Sequence, residues 1–328
     1  MSLLRRTIAP ALLAVLTLFG VAHAQDEVVV VSQTVSHSSL NPAEATGVAD
    51  YTVMRTLFEG LVGFDREFEI VPELATSWEV NDDATVYDFA LREGVTFHDG
   101  AAFDADAAKA YFDWVLDEEN PIAARGRSLL SDIASVEVTG PYELRITLST
   151  SNGAMLANLA LANARIASPA SVIDQGASVT RNPVGTGPYR FGEWIDGQKV
   201  VVEANPDYWG TPAAADAIEF LEVTNASTRA AQLQSGEAHF IEAVPAPLIP
   251  QIEAADGVSI VTSGSTFSRI FPVNTQVAPF DDVRVRQAMN HAIDKEIIAE
   301  VAYGGGATVM DAPFPASVFG YASQGAYA

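Results

Sequence analysis

Cysteine is absent from all 328 residues, which excludes a disulfide framework and a lipid-modified N-terminal cysteine. Lysine is nearly absent: three lysines stand against fifteen arginines, a bias that nothing in the chain's physical chemistry explains. Together the 18 basic residues face 42 acidic ones, giving a formal net charge of −24. So acidic a chain repels polyanions at long range, and nucleic acid is not an expected partner. No apolar run is long enough to span a bilayer; the longest, from Ile8 to Val21, falls short of roughly 20 residues and contains Pro10. The histidines beyond residue 24, His37, His98, His239 and His291, are scattered, and neither G-x-S-x-G nor H-E-x-x-H occurs. Nothing here marks a hydrolase, so no catalytic residue, metal or cofactor is expected.

What is present begins with Arg5 and Arg6, a short apolar stretch, and Ala22-His23-Ala24 before the polar Gln25-Asp26-Glu27. A basic region, a short apolar segment and an A-x-A site describe a secretory signal peptide cleaved after Ala24. Export points to the periplasm, with the protein free in solution rather than anchored as a lipoprotein. The remaining length exceeds one compact domain, and 48% hydrophobic with 18% charged residues is enough for a sizeable core.

The chain is organised around Asn182 to Trp194, NPVGTGPYRFGEW. Gly185 and Gly187 permit backbone angles closed to other residues, Pro188 fixes one φ, and Tyr189 and Phe191 begin an apolar alternation. The glycine spacing suits a tight turn better than an anion cradle, because no helix start follows it. Elsewhere strand and helix patterns alternate, as a central α/β sheet requires. Val28 to Val31 reads as a strand buried on both faces. A helix carrying Tyr51, Met54, Arg55 and Phe58 follows a cap at Asp50. Strands are expected at Leu61–Phe64 and Phe68–Ile70, with a hairpin at Tyr87, Phe89 and Leu91. His98-Asp99-Gly100 reads as a turn rather than a metal cluster. Asp104 caps a helix whose Tyr111, Trp114 and Val115 share a face. Arg125 and Arg127 fall in a loop. Further strands are expected at Val258–Val261 and Phe267–Val273, and one helix runs from Asp281 to the three glycines after Tyr303.

Ligands of open α/β sheets gather beyond the carboxyl ends of strands, which makes Ser36, His37 and Ser38, following the first strand, candidate binding residues; the alternative is a solvated loop. Arg165 stands alone in an apolar stretch. It either pairs with a local carboxylate or receives a ligand carboxylate through its guanidinium fork, with a charge-assisted bond of roughly 1.5–3 kcal/mol.

The blocks ATSWEVNDDATVYDFALREGVTFHDG (75–100), NPVGTGPYRFGEW, NPDYWG (205–210), STRAAQLQSGE (227–237) and FDDVRVRQAMNHAID (280–294) together resemble the extracytoplasmic solute-binding proteins of family 5. These serve ABC importers of peptides, dipeptides, glutathione and nickel. The resemblance runs from about Glu27 to Tyr321. It implies an α/β, two-lobed periplasmic-binding-protein fold of type II, a flytrap, with an inserted subdomain in lobe one. Residues 25–50 and 180–265 would form the core of that lobe, 51–179 the insertion and 266–328 the start of an incomplete second lobe, with the crossing near Phe267 to Asn274. The resemblance further implies a monomer that captures a short peptide or peptide-like solute of the dipeptide or glutathione type and presents it to an inner-membrane permease. A nickel complex is the alternative ligand, and a secreted hydrolase the alternative of another class. Arg165 is the preferred ligand anchor, because some members place an arginine just before the position of Ser168-Pro169; Arg125 and Arg127 are further candidates. Members continue well past residue 328, so the resemblance reads the chain as a truncated form unable to transport, with Pro313, Phe314, Pro315, Phe319 and Tyr321 in an uncovered tail.

Overall fold

The structure, a computed structural model, describes residues 27–175, 179–262 and 268–312, and beyond them 314–316, 318, 321–323 and 325. The expected signal peptide, Phe267, Pro313 and Phe319 lie outside the described residues. The described chain opens with β1 (Val28–Gln33) and helix α1 (Val48–Leu57), followed by β2 (Val62–Phe64) and β3 (Ile70–Pro72). A hairpin of β4 (Ala75–Val80) and β5 (Val86–Leu91) leads to helices α2 (Ala105–Leu116) and α3 (Ala124–Leu129). A second hairpin, β6 (Ile133–Gly140) and β7 (Glu143–Leu148), precedes the short helices α4 (Met155–Leu159) and α5 (Pro169–Gln175). Next come β8 (Tyr189–Ile195), β9 (Lys199–Ala204), β10 (Ala217–Glu222), α6 (Ala226–Ser235) and β11 (Phe240–Ile241). Three helices complete the order: α7 (Ile249–Glu253), α8 (Val283–Ala292) and α9 (Lys295–Tyr303).

Two larger sheets result. One has the order β11-β1-β10-β9-β8, the other β4-β5-β7-β6. In the first, β1 runs parallel to β10 and β11, while β9 is antiparallel to both β10 and β8. The carboxyl ends of β1, β10 and β11 therefore lie on one rim, the place where open α/β sheets collect ligands. The second sheet sits in sequence between β1 and β8, yet the core is continuous: Leu40, Leu57, Phe58, Phe89, Tyr111, Ile146, Val202 and Phe220 belong to one buried cluster. Each such side chain contributes roughly 1.5–3 kcal/mol through burial. Among the described residues no helix is long and apolar enough to cross a membrane.

Several local readings hold. Asp104 caps α2 by accepting the Ala107 N–H at 2.8 Å, and Tyr111 and Val115 on that helix are buried. The structure adds a cap at Asn225, which accepts the Thr228 N–H at 3.0 Å at the start of α6, and that helix ends on Gly236 at φ 78°. Others need correction. β1 is not buried on both faces: its first four residues are exposed or half-buried and only Ser32 and Gln33 are fully buried, because β11 pairs with Val31 and Ser32 alone. Helix α1 starts at Val48 behind Gly47, so Asp50 lies inside its first turn and its carboxylate turns away to Ser38. Phe68, at φ 63°, occupies the tight turn after Asp65, which delays β3 to Ile70. Arg125 and Arg127 are helical rather than in a loop. Residues 258–261 and 268–273 form no strand, and among the described residues no strand pairs with them. The expected helix from Asp281 breaks at Ile293, where Asp294 caps a second helix by accepting the Ile297 N–H. Neither α8 nor α9 has a buried residue.

Candidate functional site

The segment leaving β1 is pinned before it reaches α1. Ser39 and Thr180 both donate to the Glu44 carboxylate, the latter at 2.6 Å, and Asn41 turns the chain by accepting the Ala43 N–H. Within this frame Ser38 donates its N–H at 2.9 Å and its hydroxyl at 2.7 Å to the Asp50 carboxylate. The buried His37 ring places Nδ1 3.3 Å from Asp50 and packs edge-on to Trp194, with centroids 5.9 Å apart. Burial alone would raise the Asp50 pKa, but His37 and the two Ser38 donors outweigh it and hold the carboxyl below its ordinary value. The His37 N–H faces Glu222 at 3.3 Å, and the Arg181 guanidinium lies 4.0 Å over the Trp194 ring.

The rim is therefore polar to its floor. Among the described residues, buried Gln33 Oε1, His37 Nε2, Trp194 Nε1 and Glu222 Oε2 have no hydrogen-bond partner. Ser36 and Ser38 are exposed and His37 is buried. The sequence reading names Ser36, His37 and Ser38 as candidates; Gln33, Asp50, Trp194 and Glu222, which it does not name, reach the same rim from four separate elements. Only Gln33, the last residue of a strand otherwise made of valine and serine, carried a signal.

The three arginines separate. Gly126 of α3 donates its N–H to the Ala43 carbonyl at 2.9 Å, so α3 is held against the segment leading into α1. Asn163 ties that segment from the other side, donating to the Pro42 and Ala45 carbonyls, and Tyr51 donates its hydroxyl to Ala45 and Asn163. Arg125 is exposed at this place and, among the described residues, makes no hydrogen bond or ion pair. Arg127 instead donates Nη1 to the Asp117 and Asn120 carbonyls beyond the end of α2. Arg165 is 8% exposed and bridges to Glu73 at 3.1 Å and to the Phe58 carbonyl. Of the two roles open to Arg165 the structure displays the carboxylate pair, with a partner 92 residues away rather than a local one.

That pair belongs to a junction in which the distinctive sequence blocks meet. Glu59, just past α1, accepts from the Thr186 and Tyr208 hydroxyls and from the Trp209 indole at 2.7–2.9 Å. Burial nevertheless pushes its carboxyl pKa up. Asn205 bonds to the Gly187 carbonyl, and Asp99 accepts the Ser168 hydroxyl. His98 closes the arrangement: Nδ1 accepts the Gly185 N–H at 3.2 Å and Nε2 lies 3.0 Å from the Gly187 carbonyl, which selects the neutral ring protonated at Nε2. Burial lowers the His98 pKa below its ordinary 6.5. The unfolded chain consequently binds more protons as pH falls below about 6.5, and the stability that His98 contributes is lost down to its lower folded pKa. Thermal unfolding across pH 8 to 5 should show the midpoint of the wild type falling below pH 6.5 relative to that of His98→Gln. Parallel curves would refute the clasp. Glu59 titrates with the opposite sign, so the difference between the two proteins isolates the histidine.

The described residues thus form a mixed α/β architecture whose first sheet ends on a polar rim. Residues 69–328 match the profile described as bacterial extracellular solute-binding proteins, family 5 Middle. The chain belongs to this family. It is 36% identical over 96% of its length to the glutathione-binding protein GsiB of Pectobacterium atrosepticum, of which it covers 60%. Among solved structures, the periplasmic binding protein DppA of Helicobacter pylori in complex with the peptide STSA superposes with a TM-score of 0.80. That match has 31% identity over 90% of this chain and 62% of that one. NikZ of Campylobacter jejuni in complex with Ni(L-His) gives 0.77 at 26% identity, over 88% of this chain and 58% of that one. The fold is thus that of the periplasmic binding proteins, and the chain spans about three fifths of the length of these relatives.

Proposed function

We propose that this chain is the substrate-binding component of an ABC importer, exported to the periplasm and taking short peptides or peptide-like solutes of the dipeptide or glutathione type. The observation that carries the reading is the 36% identity over almost the whole chain to a protein named for glutathione binding. The DppA match in complex with a peptide supports the same ligand class. Residues 25–50 and 180–265 serve as the core of lobe one, 51–179 as its insertion and 266–328 as the opening of lobe two. Such a protein works as a monomer, hands its ligand to an inner-membrane permease and has no part in nucleic-acid binding. It captures by preferring ligand in one of two lobe arrangements, which needs differential affinity and no catalysis. A nickel complex is the second reading, supported by the NikZ match; among the described residues no group of three or more His, Asp or Glu is placed to hold a bare metal ion.

Arg125 is the candidate for a ligand carboxylate, because it is exposed and, among the described residues, unengaged, on the helix whose Gly126 N–H binds the Ala43 carbonyl in the segment leading into α1. Ser36, His37 and Ser38 are the further candidates, with His37 and Ser38 held on Asp50 in the first turn of α1. Calorimetric titration with glutathione and dipeptides should show saturable binding by the wild type. Arg125→Met should weaken it tenfold or more, each tenfold being about 1.4 kcal/mol, with unfolding unchanged. Equal affinity in the variant would remove Arg125 from the site, and no binding by the wild type would overturn the ligand class.

A further inference from the structure

We propose that Arg229 is a positioning residue for ligand capture, holding together the two chain exits that flank the carboxyl end of β1; the proposal rests on the solute-binding reading above. Arg229 lies in the first turn of α6 and is 3% exposed. Its Nη1 donates to the Val223 carbonyl at 2.7 Å and to the Thr224 carbonyl at 3.1 Å, and its Nη2 to the Ala243 carbonyl at 3.3 Å. Val223 is the first residue after β10, and Ala243 follows β11 by two. One planar fork thus spans the exits of the strands on either side of β1.

Both exits are also tied to β1 itself. Val223 donates its N–H to the Gln33 carbonyl at 3.0 Å, and Glu242 its N–H to the Ser32 carbonyl at 3.2 Å. The Gln33 amide donates to the Glu242 carboxylate, and Ser32 donates its hydroxyl to Gln232, one turn along α6 from Arg229. The next residues of the chain after Gln33 are those that lead to Ser36, His37 and Ser38. Ala243 is held at φ 49°, a left-handed conformation disfavoured for any residue with a Cβ. Its carbonyl is received by the guanidinium.

A space-filling role does not call for an arginine here. Among the described residues no carboxylate hydrogen-bonds to the guanidinium, burial pulls its pKa down, and Glu242 acts on it through its charge. An apolar side chain would fill the volume without a desolvated charge, but it would leave three converging carbonyls without donors. A lysine offers a point charge and cannot span acceptors on two segments in a fixed plane. The arrangement that only arginine satisfies is the relative placement of the two exits.

The test is Arg229→Lys, measured by calorimetric titration with glutathione and dipeptides and by amide hydrogen exchange. The expected result is at least tenfold weaker binding, faster exchange confined to residues 223–225 and 242–245, and a Tm within a few degrees of wild type. Wild-type affinity in the lysine variant would overturn the proposal, as would exchange that rises uniformly over the chain while affinity is kept. Should the variant fail to fold, the wild type decides: the Val223 and Glu242 amides must be protected as strongly as those inside β10, and free exchange there would refute the clamp. If the wild type binds none of these solutes, the solute reading falls, while the exchange pattern still judges the clamp.

Discussion

Gly185→Ala should destabilise the fold by about 3 kcal/mol, the upper end of what over-packing a tight interior costs. A Cβ at this position would stand 2.1 Å from the Leu57 carbonyl oxygen and 2.6 Å from the Phe58 ring. The obstacle is backbone at the end of a buried helix, so no side-chain rotation relieves it. The adjacent Gly187 donates its N–H to that same Leu57 carbonyl at 3.0 Å, and both glycine peptides are held by His98. A shift of this loop would therefore disturb α1, the His98 turn and the entry to β8 together. Gly153→Ala is the matched control, since nothing lies within 4 Å of its Cβ position and its φ is not left-handed. Denaturant unfolding should separate the two substitutions clearly. Equal midpoints would mean that the loop does not press on α1.

Arg165→Met should cost about 3 kcal/mol of stability and leave the affinity of the folded protein unchanged. Removing one partner of a largely buried pair exposes the other to the full desolvation penalty, about 3–5 kcal/mol for complete burial. The lower end applies because the Glu73 side chain keeps 21% of its exposure against 10% for Arg165. The Glu73 carboxylate would retain the Gly60 N–H at 2.7 Å, but the Phe58 carbonyl would lose the guanidinium. Adding Glu73→Gln to Arg165→Met should recover part of the loss, which a double-mutant cycle in denaturant would measure. Weakened ligand binding with unaltered unfolding would restore Arg165 as a ligand anchor.

These two substitutions mark where sequence reading stopped. The blocks NPVGTGPY, NPDYWG and HDG were visible as motifs, and the glycine loop was legible as a tight turn into a strand. That the three blocks converge was not legible, because their contacts join residues up to 89 positions apart. Arg165 shows the same limit. A lone arginine in an apolar stretch must find a partner, but the sequence cannot say that the partner is Glu73 rather than a ligand. Asp50 had the composition and position of a helix cap, yet it faces Ser38 and His37, because the chain between β1 and α1 folds back over the helix start.

By itself the sequence determined the class: alternating strand and helix patterns, the local cap at Asp104, the acidic charge and the family blocks all act over a few residues or over the whole composition. The tertiary structure alone decided which residues meet at the candidate site. Parallel pairing of β1 with β10 and β11 gathers their carboxyl ends on one rim and brings Gln33, His37, Glu222 and Arg229 to it from segments almost 200 residues apart. It also engages Arg165 internally and leaves Arg125 open. The physical reason is that propensity, capping and periodicity are local, whereas burial and hydrogen-bond partnership depend on which distant segments the sheet makes neighbours.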